Sequence, residues 1–207
     1  MAAAILLFAK APIPGRVKTR LQPVWTPAQA AELHRAFVDD LLDTLVTLQP
    51  PVTVELHTDI PTDAWGRPGV SRHLQGAGDL GARMLRALTH SLESGACPTM
   101  IVGGDAPSLP ASHVQELLAI DADVVLGPSE DGGYYAICCR RTHSAMFEAV
   151  EWSSPRALDD TARGARKAGL SVAFGPTWFD IDSANDLARL ANVPRHTAAV
   201  LAHWSTR

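Results

Sequence analysis

Short apolar runs recur along this chain. Most end in a loop carrying Gly, Pro or Asp, and most of these loops lead into a stretch with helical spacing. The runs at residues 2–8, 52–56, 70–74, 99–103, 122–126, 134–139 and 170–174 have the length and composition of strands. Thr26-Pro27 marks a helix start, with threonine as cap and proline in the first helical position. Ala31, Leu33, Phe37, Leu41, Leu42 and Leu45 then keep helical spacing to about Leu48. Asp79 caps a helix to about Leu92, Leu109-Pro110 opens one through Leu118, and further helices are predicted over 155–167 and 183–190. Strands alternating with helices imply a three-layer α/β/α domain, its mostly parallel sheet covered on both faces. The spacing predicts one domain over 1–207, with 194–207 as a peripheral tail holding one short helix. Ligands of such sheets lie beyond the carboxyl ends of the strands.

The loop after the first strand is stiff, bare and cationic. Pro12 and Pro14 fix the backbone, and Gly15 permits a left-handed turn or a close approach. Lys10, Arg16, Lys18 and Arg20 put cations within a few residues of one another, in a chain whose net charge is -4. Local positive charge on an acidic chain suits a small anion such as a diphosphate, which arginine grips in a planar fork. A broad basic face for nucleic acid is missing, and so is a Walker loop. A solvated basic loop is the plain alternative.

At 46% hydrophobic and 19% charged residues the chain can bury a sizeable core. Cys97, Cys138 and Cys139 form no C-x-x-C pair and read as free thiols in a reducing cytosol. No apolar run reaches membrane-spanning length, and the first run lacks the basic flank of a signal peptide.

Several carboxylates fall where strands end. Asp105 follows the 99–103 run and can hold a hard divalent cation already bound to phosphates, or form a turn before Pro107. Asp182 is the second candidate ligand; alternation puts it on the side of Asp180, with Ile181 toward the core, and it can also cap the next helix. Asp131, followed by Gly132 and Gly133, offers a carboxylate and two unhindered amides for an acceptor, or a hairpin turn. Gly76, Gly78 and Gly81 leave room for a flat ligand around Asp79, or make a glycine turn into a capped helix. Trp152, Tyr134 and Tyr135 are divided between core and site.

Phe8-Ala-Lys-x-Pro-x-Pro-Gly-x-Val-Lys-Thr-Arg-Leu21, Gly78-Asp-Leu-Gly-x-Arg-Met84, Gly103-x-Asp-x-Pro-x-Leu109, Gly127-Pro-x-x-Asp-Gly-Gly-Tyr134 and Asp180-Ile-Asp182 occur in this order. Together they resemble a bacterial family of glycosyltransferase-A-fold proteins related to nucleotide-diphosphosugar transferases, some assigned to arsenosugar biosynthesis. The layout is also similar to nucleotidyltransferases that make molybdenum-cofactor dinucleotides and to phospholactate guanylyltransferases. The resemblance implies that Lys10, Gly15, Arg16, Lys18 and Arg20 face phosphates and that Gly78 and Asp79 lie near the nucleoside. It places Asp105 and Asp182 at Mg2+ or Mn2+; the residue reading adds Asp131, with Gly132 and Gly133, at the acceptor, and Asp105 beside it in the chemistry. Where the nucleotidyltransferases carry a glycine-rich loop, this chain has Ala11-Pro-Ile-Pro-Gly15. That places transfer of a sugar from a nucleotide-sugar to a small acceptor first. Coupling of a nucleoside triphosphate to a phosphorylated small molecule is second, and a non-catalytic nucleotide-binding module third. The expected protein is cytoplasmic and free of nucleic acid, with a homodimer left open.

Overall fold

Every residue of β1 (Ala4–Ala9) is buried, as a strand covered on both faces requires. The computed structural model describes residues 2–22 and 24–205. The remaining strands are β2 (Thr53–Thr58), β3 (Ser71–Leu74), β4 (Thr99–Gly103), β5 (Val124–Pro128), β6 (Tyr134–Cys139) and β7 (Val172–Phe174). They form one seven-stranded sheet in the order β3-β2-β1-β4-β6-β5-β7. Only β6 runs against its neighbours β4 and β5; the other pairs are parallel. The helices are α1 (Pro27–Val46), α2 (Leu80–Glu93), α3 (Ala111–Ala119), α4 (Ala157–Lys167), α5 (Ala184–Ala188) and α6 (Arg195–Ser205). The expected α/β fold with a mostly parallel sheet is the one observed.

Alternation along β1 divides the core. Ile5, Leu7 and Ala9 join α1 and α3 on one face, where Leu41, Leu45 and Leu117 are buried. Leu6 and Phe8 face the other way, against Met84 and Leu88 of α2 and Ala162 and Ala165 of α4. Cys138 and Cys139 fall into opposite cores, and all three cysteines are free. Tyr134, Tyr135 and Trp152 also pack into these cores. A third cluster joins Leu21 of the basic loop, Leu33 and Phe37 of α1, Ile181 and Leu187. That cluster sets the height of the basic loop and of Asp180 and Asp182 above the sheet.

Local signals set the helix starts. Thr26 and Gln29 form a reciprocal capping box at α1, and Asp79 accepts from the Ala82 amide at 2.8 Å. Ser183, not Asp182, caps the short α5. The predicted tail helix is α6; residues 206–207 lie outside the described residues. Its first amides are held by Asp40 of α1, which accepts from His196 N at 2.7 Å, Thr197 N at 2.9 Å and Thr197 Oγ1 at 2.6 Å. No helix among the described residues is long and apolar enough to cross a membrane.

Candidate active site

The basic loop leaves β1 and is tied down at once, because Ala11 N donates to Asp59 Oδ1 at 2.7 Å. Gly15 turns left-handed at φ 81°, with open space around its α-carbon. Lys10, Arg16 and Arg20 are exposed on the rim, as an anion site needs. Lys18 behaves differently. Its backbone is left-handed at φ 47°, an uncommon state for a residue with a Cβ. Its side chain is only 4% exposed. The ammonium lies 2.7 Å from Asp105 Oδ1 and donates to Asp182 Oδ1 at 3.2 Å and Ile181 O at 2.5 Å. A lysine has three N–H donors, and all three have protein acceptors here. The placement of Lys18 on phosphate is therefore corrected: it pins the basic loop to both carboxylates. Burial alone would lower its pKa, but Asp105 and Asp182 more than reverse that and raise it.

Asp105 stands just past β4, and its carbonyl accepts from Ile181 N at 2.9 Å. That bond brings the 180–182 segment alongside the end of β4. Burial would raise the Asp105 pKa, but Lys18, with His34 and Lys10, outweighs it and holds the carboxyl below 3.8. Asp182 is engaged on both oxygens, by Lys18 and by Arg20 Nη1 at 3.2 Å. Asp180 accepts no hydrogen bond and makes no ion pair among the described residues. Burial first, then the charge of Asp105, with smaller contributions from Asp131 and Asp182, pushes its pKa up to about 7 against the pull of Lys18. Behind Asp105 sits His34, whose Nε2 donates to Lys10 O at 2.9 Å. Its buried Nδ1 has no hydrogen-bond partner and lies 3.9 Å from Asp105 Oδ1. Burial lowers the His34 pKa below 6.5.

Asp131 lies in the turn joining β5 to β6, at the mouth of a groove of about 430 Å3 shared with Asp180, Asp182 and Arg20. The hairpin alternative for 131–133 is thus correct, and it still delivers Asp131 to the rim. The amides of Gly132 and Gly133 are not free for a ligand: they donate to Ser129 O at 3.1 Å and to Asp131 Oδ1 at 3.0 Å. Gly132 is needed for another reason. Its φ is 87°, and a Cβ there would lie 2.2 Å from Pro155 O.

A model of the family described as "Uncharacterized protein conserved in bacteria (DUF2064)" matches residues 33–154. The chain belongs to this family. A solved structure from Desulfovibrio desulfuricans G20, provisionally assigned as a nucleotide-diphospho-sugar transferase, has a TM-score of 0.87 at 32% identity, covering 100% of this chain and 96% of that one. Two curated proteins, 2-phospho-L-lactate guanylyltransferases, are each 29% identical. The one from Methanocella arvoryzae aligns over 84% of this chain and 74% of its own length. The one from Haloarcula marismortui aligns over 90% and 84%. This DUF2064 chain therefore has a nucleotide-diphospho-sugar-transferase-like fold and nucleotidyltransferase relatives.

The resemblance implies a divalent cation, and the donor set of this DUF2064 protein can be tested for one. Among the described residues no group of three or more His, Cys, Asp or Glu side chains could hold a metal ion. Mg2+ and Mn2+ do not need such a cage when phosphates supply most of the oxygens. The unpartnered carboxylate of Asp180, raised in pKa beside Asp105, is a hard oxygen donor short of positive charge, so the residues fit such an ion. Asp182 has both oxygens engaged, by Lys18 and Arg20, whereas Asp105 has only Oδ1 engaged, by Lys18, and Asp180 has neither among the described residues. Sequence reasoning put Asp180 on the right side but gave it no role.

On the same rim, Gln75 Nε2 donates to Ala9 O at 3.3 Å and His57 O at 3.0 Å, so the 75–79 loop lies beside the end of β1. Arg83 Nε reaches Gly78 O at 2.8 Å, and Arg86 Nη2 reaches Gln75 O at 2.8 Å and Ala77 O at 2.7 Å. Two arginines of α2 thus brace the loop that carries Gly78 and Asp79. Arg83 belongs to the second motif; neither arginine has a spacing that announces bracing.

Proposed function

We propose that this protein is a nucleotidyltransferase, in which a small-molecule acceptor attacks the α-phosphate of a nucleoside triphosphate and pyrophosphate leaves. The observation that carries this reading is a carboxylate set in which one member is paired and one is left without a cation. Asp105 is paired with Lys18, Asp180 is unpartnered and lines the groove with Asp131 and Arg20, and Lys10 and Arg16 are exposed on the same rim; the relatives named guanylyltransferases support the reaction class. Lys10, Arg16 and Arg20, turned by Gly15, would hold the phosphates. The 75–79 loop, with Gly78 and Asp79, would take the nucleoside. Asp105 and Asp180 would hold Mg2+ or Mn2+, with Asp182 acting through Lys18 and Arg20. Asp131 would orient the acceptor. When bound, the cation neutralises charge growing on the pyrophosphate leaving group.

Glycosyl transfer, favoured by the loop sequence, is the second reading, and the assignment of the Desulfovibrio protein supports it. The two differ in which ligand the folded state selects. A thermal-shift screen of nucleoside triphosphates and nucleotide-sugars, with and without Mg2+, separates them, since a ligand of the folded state raises Tm by mass action. A metal-dependent shift with one triphosphate, reduced at least tenfold in affinity by Asp105→Asn, is expected. A shift confined to nucleotide-sugars moves the assignment to glycosyl transfer.

A further inference from the structure

The groove beside Asp131 is lined by five carboxylates and two guanidiniums. Neither guanidinium is idle. Arg20 pairs with Asp182 and belongs to the nucleotide side of the site. Arg189, on the far wall, donates through Nη2 to both oxygens of Glu130 at 2.9 and 2.8 Å. It also lies 3.8 Å from Asp186 and 4.2 Å from the centre of the Phe179 ring. This is a surface pair, 43% and 52% exposed on its side chains, and such a pair alone yields readily to a competing anion; here the guanidinium is also stacked on the Phe179 ring and flanked by Asp186, so leaving Glu130 means leaving them too. An acceptor bearing a phosphate needs a cation ready to receive it, and this groove has already neutralised its own. What it offers instead is a hydrogen-bond acceptor: Asp131 keeps one oxygen without a hydrogen bond.

We propose that the acceptor is a non-anionic, donor-rich molecule, a polyol or an amine, and that Glu130 sets this preference by withholding Arg189 from phosphate. The inference rests on the reading that the nucleotide occupies the Asp105 end and the acceptor this groove. In that reaction an acceptor hydroxyl oxygen bonds to the α-phosphorus and the α–β phosphoanhydride bond breaks. Pyrophosphate leaves, and the hydroxyl proton passes to the Asp131 carboxylate.

The test compares glycerol 3-phosphate binding to the wild-type protein and to Glu130→Gln, measured calorimetrically in Mg2+ with and without an α,β-methylene triphosphate. Glu130 is 52% exposed on its side chain, so the variant should fold. Glu130→Gln is expected to bind the phosphate probe at least tenfold more tightly than wild type, and Glu130→Gln/Arg189→Gln is expected to lose that gain. Wild-type binding as tight as that of Glu130→Gln, or a gain that survives loss of Arg189, overturns the proposal. Failure of the triphosphate analogue to bind counts against the nucleotidyl-transfer reading alone, because the probe comparison is also made without it.

Discussion

Lys18→Met tests whether the basic loop is fastened to the carboxylates or merely passes near them. The substitution keeps most of the apolar stem and removes an ammonium that is 4% exposed. Three charge-assisted contacts are lost, two to carboxylates and one to Ile181 O, and the two to carboxylates are each worth roughly 1.5–3 kcal/mol when fully formed. Their carboxylates are 48% and 45% exposed, so water replaces part of the interaction and about half survives as a net loss. Relief from burying the ammonium offsets a little more. The expected destabilisation is about 2 kcal/mol, or about 4–8 °C in Tm for a chain of this length. The reciprocal change should be worse. Asp105→Asn/Asp182→Asn leaves the buried cation with only neutral acceptors, and stranding a buried charge costs about 3–5 kcal/mol. Adding Lys18→Met to that double variant should restore stability. Urea unfolding at neutral pH with a chelator present reads all four proteins. A Lys18→Met loss below about 0.5 kcal/mol, or a double-Asn variant no less stable than Lys18→Met, would refute the fastening argument.

Other expectations follow from single contacts. Asp40→Ala should cost about 3 kcal/mol, because it strands two α6 amides and a buried hydroxyl; an unchanged urea midpoint would contradict this. Gly132→Ala should lose about 2 kcal/mol or more, since the left-handed backbone and the Pro155 carbonyl leave no place for a methyl group, and a melting curve unchanged from wild type would show the hairpin can relax. Glu55 receives a hydrogen bond from His57 at 2.9 Å, which, against the opposing effect of burial, holds its carboxyl below 4.5. Its depressed pKa means that its stabilisation is full above pH 4.5 and drains as pH falls through the folded value. The stability gap between wild type and Glu55→Gln should therefore narrow from pH 6 to pH 3; a constant gap would assign the effect to packing.

Contacts that close over a few residues were legible from the sequence. Thr26 reaches Gln29 and Asp79 reaches Ala82, three residues away, so the cap and its partner appear together in the sequence. The apolar runs were legible for a related reason: a strand buried on both faces must be apolar throughout, and β1 is. The role of Lys18 was hidden because its partners Ile181 and Asp182 lie 163 and 164 residues away. Four cations in one loop look alike until the fold turns one of them inward. The amides of Gly132 and Gly133 were misread because a turn that presents a carboxylate to solvent spends its own N–H groups to do so.

The same physics explains why the reaction class was harder to read than the site. Glycosyl and nucleotidyl transfer both need cations on a diphosphate, strand-end carboxylates for a metal, and a groove for the acceptor. They differ in whether the anomeric carbon–oxygen bond or the α–β phosphoanhydride bond is the one aligned with the incoming nucleophile. That alignment is a matter of where the acceptor sits relative to the phosphate chain, a distance of a few ångströms set by tertiary packing. In this chain the packing that matters is the third cluster, where Ile181 is buried and Asp180 and Asp182 flank it. Because Ile181 N is bonded to Asp105 O and Ile181 O to Lys18, a shift of this segment moves Asp105, Asp180, Asp182 and the groove wall together. Selection for one reaction over the other can therefore act on the packing around Ile181 without changing any charged residue, and motifs built from charged residues read the same in both.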